Sequence, residues 1–253
     1  MVNNDYLVDP KIRFSSRVEN YIKYRPNYPS EIIDFFIHNN LLSEKSVIAD
    51  IGSGTGILSE IFLKNGNKVY GVEPNKEMRK AGERILQNYP NFISIDGSAE
   101  ETKLQKDSVD VITAGQAFHW FNIKAAKREF KRILKSEGYV VLIWNNRRKT
   151  GLSFSSQYEK FITKYGTDYE QVRKNEENVD AFFHYKKVAF YNYQELDFDS
   201  LKGRLLSVSY LPLEGDPNYD NMIYDLQKSF KENEQNGKIK IEYDTEIYYG
   251  KLD

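Results

Sequence analysis

The sequence of 253 residues contains no cysteine and only three histidines. Without cysteine the chain can form no disulfide, no thiolate metal site and no covalent intermediate on sulfur. The histidines, His38, His119 and His184, lie too far apart in the sequence for the ligand spacing of a zinc site. We therefore expect no bound metal.

Long apolar runs and an excess of charge of one sign are also missing. No run approaches the roughly 18 apolar residues of a membrane-spanning helix, and the first residues lack the apolar centre of a signal peptide. The 36 basic and 37 acidic residues leave a formal net charge of -1, so charge gives no reason to expect nucleic acid or membrane as a partner. We expect a cytoplasmic protein, monomeric or homodimeric.

Strand and helix patterns alternate between residues 47 and 144. Amphipathic helical segments at 57–64, 75–88 and 122–135 separate short apolar runs that are typical of buried strands. This alternation predicts an α/β fold with a doubly wound, mostly parallel sheet, in which ligands bind beyond the carboxyl ends of the strands. The predicted strands are 47–51, 68–72, 92–95, 109–113 and 139–144.

The rest of the chain departs from this alternation. Residues 150–187 are polar and aromatic and predict an inserted, partly helical cap, followed by a sixth strand, a helix, a loop at 213–221 and a last long strand at 238–252. We expect a single domain over 1–253. It divides into an N-terminal lid (1–30), a core (31–149), the cap (150–187) and a part that completes the sheet (188–253).

The segment "DIGSGTG", Asp50 to Gly56, begins in the last two residues of the first predicted strand and continues into the turn after it. Glycines at alternate positions let the backbone approach a ligand closely. The third glycine comes one residue too early for the G-x-G-x-x-G pattern of dinucleotide sites, and the Gly-Lys-Ser/Thr ending of a P-loop is absent. A pyrophosphate would be repelled by Asp50, so the turn favours a ligand without phosphate, and a cationic one in particular.

Two further motifs follow later strands. Glu73 in "GVEPN" ends the second strand, where a carboxylate can accept hydrogen bonds from both hydroxyls of a ribose. Acids at this place are shared with NAD-binding folds. The segment "IDGSAEETKLQKDSVDVITAGQAFHWF" spans the loop after the third strand and the end of the fourth.

Together these motifs closely resemble the class I methyltransferases that use S-adenosylmethionine (SAM). The resemblance implies a Rossmann-like, doubly wound, mostly parallel sheet of seven strands whose last strand is antiparallel, with SAM as cofactor and S-adenosylhomocysteine (SAH) as product. "YIKYRPNYPSEIIDFF", "AFHWF" and "LLSVSYLP" resemble the small-molecule group that includes trans-aconitate methyltransferase, although the resemblance does not carry that substrate over.

The resemblance also implies roles for individual residues. Asp50 supports the glycine turn and the ammonium end of SAM, Ser98 to Glu100 meet the adenine, and Gly115 and Gln116 lie beside the sulfonium. The full set of expected cofactor-binding residues is Asp50, Gly52, Ser53, Gly54, Gly56, Glu73, Pro74, Met78, Ser98, Ala99, Glu100, Gly115 and Gln116.

Residues near the acceptor follow from position. His119, after the fourth strand, is the candidate general base, needed only when the nucleophile carries a proton. Its alternative role is to hydrogen-bond within the fold and pack against Trp120. Similar enzymes fold their N-terminal segment over the cofactor as a lid, so the resemblance implies a lid or substrate role for Tyr21, Tyr24 and Arg25. Trp120 and Trp144 are also expected as substrate residues.

Other functions stay open at this point. An NAD-dependent oxidoreductase would share the strand–turn–helix but not the glycine spacing. A SAM-binding protein without catalysis would carry the same motifs. An RNA methyltransferase could use the nine basic residues within 121–150, which fall mostly on the polar face of a predicted helix. We expect methyl transfer to an O, N or C nucleophile of a small molecule.

Overall fold

The computed structural model describes residues 14–149, 154–167 and 179–252. Seven strands within these residues form one sheet in the order β3-β2-β1-β4-β5-β7-β6. The strands are β1 (Val47–Ile51), β2 (Lys68–Val72), β3 (Phe92–Ile95), β4 (Val109–Gly115), β5 (Leu134–Arg147), β6 (Lys186–Leu196) and β7 (Ile239–Gly250).

Helices cover the sheet. Two 3-10 turns, Ser15–Arg17 and Phe118–Trp120, precede α1 and α5. The helices are α1 (Val18–Tyr24), α2 (Glu31–His38), α3 (Ile57–Lys64), α4 (Lys76–Ile85), α5 (Ile123–Ile133), α6 (Phe154–Tyr165), α7 (Val179–Phe182), α8 (Phe198–Leu206) and α9 (Tyr219–Asn233). Within the described residues no helix is long and apolar enough to span a membrane.

The strand order confirms the predicted topology. Strands β1 to β5 are parallel, and β7 is antiparallel to both β5 and β6. From β1 the chain first builds the sheet outward through β2 and β3, and then returns to add β4 on the other side of β1. The carboxyl ends of β1 and β4 therefore form the switch point at which sheets of this kind bind ligands.

Local sequence explains why the core helices begin and end where they do. The Asn75 side chain caps α4 by accepting from the backbone N–H groups of Glu77 and Met78, both at 3.0 Å. Helix α3 ends just before Asn65-Gly66, and Gly66 adopts a φ of 90° that favours glycine. The apolar spacing of Met78, Ala81, Ile85 and Leu86 predicts one helical face, but α4 ends at Ile85 and leaves that residue 38% exposed.

The C-terminal half differs more from the sequence-based expectation. Strand β5 begins at Leu134 rather than at residue 139, and its pairing with β4 shifts register between Val109 and Val111. Gly138 therefore lies inside the strand, where a Cβ would come within 2.5 Å of the Leu134 side chain. Helix α9 was not predicted. Its first residues fall in the segment predicted as a loop, 213–221, and no element was predicted between that loop and the last strand.

The cap expected at 150–187 is described only in part. Helix α6 packs its Phe154, Tyr158 and Ile162 into a cluster with α8, α9 and β7. Phe182 of α7 packs instead in the core on the α5 side of the sheet. Residues 150–153 and 168–178 lie outside the described part of the chain.

The N-terminal segment is attached to α8. Arg17 donates hydrogen bonds to the backbone oxygens of Leu206 at 2.9 Å and Leu211 at 2.6 Å. The ring of Tyr24 lies directly over Gly203 of α8, in the space that a Cβ would occupy. These contacts place α1 beside the carboxyl edge of the sheet.

Replacing Gly203 by alanine tests this contact. In an ordinary helix the change would stabilise the protein by about 1 kcal/mol. Here we expect Gly203→Ala to lower the free energy of unfolding by about 1–3 kcal/mol, because the new methyl group must displace Tyr24. Urea denaturation measures the change, with Lys202→Ala on the same helix as control. Stabilisation by Gly203→Ala would contradict the contact between α1 and α8.

Candidate active site

A cavity of about 330 Å³ opens at the carboxyl ends of β1, β4 and β5. Its walls come from the loops after β1 and β4, from the end of β5, from the N-terminal segment, and from α6, α8 and the residues after α8. The residues that line it include Tyr21, Arg25, Tyr28, Asp50, Gly52, Ser53, Thr55, Gly115, Gln116, His119, Trp120, Asn145, Asn146, Arg147, Lys149, Glu159, Arg204, Ser209 and Tyr210.

The glycine turn after β1 forms one wall. Gly52, Gly54 and Gly56 all adopt positive φ, at 70°, 57° and 88°, which other residues rarely adopt. A Cβ on Gly52 would lie 2.6 Å from the Cβ of Ala117, and one on Gly56 would lie 2.5 Å from the Leu86 side chain. The glycines thus let the turn fit tightly between neighbouring elements and leave its backbone facing the cavity at Gly52 and Ser53.

Asp50 is buried at the base of this cavity. Its carboxylate accepts hydrogen bonds from the hydroxyls of Ser59 at 2.6 Å and Thr113 at 3.2 Å. Burial raises the pKa of Asp50 to about 6, although these two hydrogen bonds favour the ionised form and oppose the shift. No cation among the described residues forms an ion pair with Asp50, so a positively charged ligand would stabilise its ionised form.

Glu73 lies beside the same turn, just after β2. One carboxylate oxygen accepts the backbone N–H of Gly54 and the other that of Asn75, both at 2.8 Å. Burial raises the pKa of Glu73, and these two backbone hydrogen bonds oppose the shift. Each oxygen can accept one more hydrogen bond, which is the capacity that a pair of ribose hydroxyls requires.

The residues expected around the adenine are engaged within the protein. Ser98 and Glu101 exchange backbone hydrogen bonds, and the Glu100 carboxylate accepts the backbone N–H of Asn122 at 2.8 Å. Ala99 is buried. Like Glu73, Pro74 and Met78, these residues lie outside the wall of the cavity. Of the predicted cofactor set, Asp50, Gly52, Ser53, Gly115 and Gln116 thus line the cavity, and Glu73 and Met78 lie against Gly54 of the glycine turn.

The loop after β4 has a strained backbone at the cavity wall. Gln116 adopts a φ of 57°, and its N–H donates to the Ile143 backbone oxygen at 2.9 Å. A Cβ on Gly115 would lie 2.5 Å from the Tyr28 hydroxyl, so only glycine allows Tyr28 to approach here. Burial raises the pKa of Tyr28 well above its ordinary value, so its hydroxyl stays protonated. Strain of this kind is concentrated at functional sites.

His119 lines the cavity as the sequence predicts. Its ring packs against Trp120, with the two ring centroids 4.7 Å apart, and both residues belong to the 3-10 turn after β4. This position suits a general base, and it also matches the alternative packing role.

Two predicted substrate residues are placed elsewhere. Trp144 is 2% exposed and packs in the core against Phe118 and Tyr248, because β5 points this side chain away from the cavity. Tyr24 packs on Gly203. Of the lid residues named from the sequence, Tyr21 and Arg25 line the cavity.

Several lining residues were not identified from the sequence. Tyr28 and Tyr210 fall within the quoted segments "YIKYRPNYPSEIIDFF" and "LLSVSYLP", so a signal was present. Arg204 carries no local signal, since an arginine on an amphipathic helix usually faces solvent. Two further basic residues of the wall share one acid: Arg147 pairs with Glu159 at 2.8 Å, and Lys149 reaches the same carboxylate at 3.2 Å.

Known proteins support the methyltransferase resemblance. A family model described as a methyltransferase domain matches residues 49–142. An uncharacterized methyltransferase-like protein of Schizosaccharomyces pombe is 31% identical over 156 residues, or 61% of this chain and 59% of that protein. An uncharacterized methyltransferase of Mycobacterium tuberculosis is 34% identical over 139 residues, or 55% and 54%. The matched region thus spans little more than half the length of these relatives.

Solved structures show the same fold. A structure assigned as a type II methyltransferase from Anaeromyxobacter dehalogenans superposes with a TM-score of 0.70 at 17% identity, covering 90% of this chain and 98% of that one. Residues 49–142 thus match a methyltransferase domain in sequence, which supports the resemblance to the class I SAM-dependent methyltransferases, and the solved structure shows the same fold. The narrower group predicted from the sequence stays a prediction.

The pKa of Asp50 makes a prediction about stability. Because burial raises the pKa from 3.8 to about 6, the folded protein binds more protons than the unfolded chain between these values. The contribution of Asp50 to stability is therefore greatest below pH 4 and is lost as the pH rises through 6. Relative to Asp50→Asn, we expect the free energy of unfolding of the wild type to fall by on the order of 3 kcal/mol from pH 4 to 7. Urea denaturation at several pH values measures the free energy of unfolding of both proteins. The same pH dependence in wild type and Asp50→Asn would contradict this prediction.

Proposed function

We propose that this protein transfers the methyl group of SAM to a small-molecule acceptor. The observation that carries the proposal is one cavity that touches the turn after β1, the loop after β4 and the N-terminal segment. A ligand at the switch point of the sheet and a second ligand under the N-terminal segment would therefore share one enclosed space.

The residues at the switch point fit SAM in charge and in hydrogen bonding. Asp50 is an acid without a cationic partner in the described residues, which suits the positive charge of SAM. The hydroxyl of Thr55 is buried in the cavity wall with no hydrogen-bond partner in the described residues, so it can bind a polar group of a ligand. Asp50, the glycine turn and Glu73 would hold SAM, which supplies an activated methyl group when bound.

The chain's own contribution is to position the reacting groups. Enclosure between the sheet edge and the N-terminal segment excludes water and fixes the acceptor relative to the methyl group, an effect that can contribute about 7–11 kcal/mol in well-oriented reactions. His119 would accept a proton from an acceptor that carries one. An acceptor that is already anionic needs no base.

A small molecule suits the cavity better than RNA does. Its volume of about 330 Å³ lies at the lower end of the range of small-molecule sites. The N-terminal segment and α8 close it on one side, and the chain as a whole has a net charge of -1. We propose that residues 14–30 act as a lid of the single domain 1–253.

Calorimetric titration with SAM, SAH and NAD tests the cofactor. We expect SAM and SAH to bind with micromolar affinity, on the order of −8 kcal/mol, and NAD not to bind. Binding of NAD, or of none of the three, would contradict the proposal. If the protein binds SAM but methylates no compound in a broad panel of acceptors, it is better described as a non-catalytic SAM-binding protein.

The role of Glu73 is tested in the same titration. Glu73→Gln should weaken SAM binding by roughly ten- to a hundredfold, because the side chain loses its charge and one of its acceptor oxygens. Glu77→Gln, on the exposed side of α4, is the control and should bind SAM like the wild type. Equal affinities in the two variants would show that Glu73 does not bind the ribose.

The role of His119 requires turnover. With a proton-bearing acceptor, His119→Ala should lower kcat by roughly a hundred- to ten-thousandfold and remove the acidic limb of the pH profile. His38→Ala is the control, since His38 lies exposed on α2. Full turnover of His119→Ala from pH 6 to 9 would leave His119 with its packing role alone.

A further inference from the structure

Two arginines in the cavity wall lack an acidic partner. Arg25 follows α1 and Arg204 lies on α8, and both point to Ser207. The Arg25 Nη2 donates to the Ser207 backbone oxygen at 2.8 Å, and the Arg204 Nη1 lies 3.4 Å from the Ser207 hydroxyl. The Nε atoms of both arginines are buried without a hydrogen-bond partner in the described residues.

Two other arginines, Arg147 and Arg148, each pair with a carboxylate. Arg147 pairs with Glu159 at 2.8 Å, and Arg148 pairs with Asp244 at 2.7 Å. Glu159, which lines the same cavity, is thus already engaged by Arg147 and Lys149. Within the described residues, no carboxylate forms an ion pair with Arg25 or Arg204.

Two buried guanidinium groups without a carboxylate partner destabilise the folded protein electrostatically. Arg204 is 2% exposed, and burial together with the nearby charge of Arg204 lowers the pKa of Arg25. A guanidinium nevertheless stays charged at any ordinary pH. Buried charges in proteins are paired or bind ions, because the loss of hydration is otherwise uncompensated. Two like charges that face one cavity therefore need an anion from outside the chain.

We propose that Arg25 and Arg204 bind an oxyanion of the acceptor, a carboxylate or a phosphate. This inference rests on the proposed function, and it specifies the class of acceptor. Guanidinium groups bind both anions through paired N–H donors. Four of the six guanidinium nitrogens of Arg25 and Arg204, including both Nε atoms, have no hydrogen bond to another described residue.

The position of the two arginines makes the bound anion an anchor. They belong to the helical side of the cavity, whereas Asp50 and Gly115 belong to the sheet side. Tyr28 also lines the cavity, and its hydroxyl approaches Gly115 on the sheet side. An oxyanion held by two guanidinium groups is also a weakened nucleophile, since its charge is stabilised. The acceptor should therefore carry a second group that reacts.

The second group reacts by displacing sulfur from the methyl carbon. A bond forms between the nucleophile and the methyl carbon, the bond from carbon to sulfur breaks, and its electron pair stays on sulfur. Any proton on the nucleophile leaves to His119 or to water. The anchored oxyanion is unchanged in the product.

Matched pairs of compounds test the anchor on protein saturated with SAH. We would titrate 4-hydroxybenzoate against 4-hydroxybenzamide, succinate against succinamide, and phenyl phosphate against phenol, all at one ionic strength set with chloride. In at least one pair the anion should bind about tenfold tighter than the neutral compound. The pair that shows the preference distinguishes carboxylate from phosphate.

Variants then test whether Arg25 and Arg204 cause the preference for the anion. Arg204→Gln and Arg25→Gln should each reduce it about tenfold and leave the affinity for SAH within about twofold of the wild type. Arg128→Gln, which removes an exposed arginine of α5, is the matched control and should change neither. If a glutamine variant does not fold, Arg204→Lys keeps the charge without the planar fork and should retain only part of the preference.

The remaining outcomes overturn one proposal or the other. Equal binding of anion and neutral compound, or no binding of any anion while SAH binds, would overturn the anchor and leave the methyltransferase function intact. A parallel loss of SAH affinity in the arginine variants would show that the pair binds the carboxylate of the cofactor instead, which also overturns the inference. Failure of the wild type to bind SAH would overturn the proposed function itself.

Discussion

One buried carboxylate connects the elements on which the site depends. Asp50 is the last residue but one of β1, and its two hydrogen bonds reach Ser59 on α3 and Thr113 on β4. The order in which the chain adds strands reverses between β1 and β4. Asp50 therefore joins the two strands at the switch point, and it also lies at the base of the cavity. Its raised pKa shows the electrostatic cost of placing a carboxylate there without a cationic partner.

The cavity is electrostatically divided. Its sheet side carries the acid Asp50 and backbone that approaches closely because of the glycine turn. Its helical side carries Arg25 and Arg204, whose charges no described carboxylate compensates. A cationic cofactor and an anionic acceptor would each meet charge of the opposite sign, and each would remove an electrostatic cost that the protein alone leaves in place.

Much of the core was predictable because its signals are local. The strands β1 to β4 are short apolar runs, and Asn75 and Gly66 mark helix ends through side-chain capping and positive φ. Residues that follow a strand could be assigned to the carboxyl edge, which located Asp50, Gln116 and His119. The prediction was wrong where distant pairing decides the structure, as in the start of β5 at Leu134.

The sequence by itself determined the alternating α/β core, the glycine turn and the carboxylates at the strand ends, since these depend on neighbours a few residues apart. Only the tertiary structure decided that Arg25 and Arg204, 179 residues apart in the chain, meet at Ser207, and that Trp144 turns into the core. Such contacts arise because α1 packs on α8, through Tyr24 against Gly203. No local pattern encodes which helix faces which, because that choice depends on how all the apolar faces are buried together.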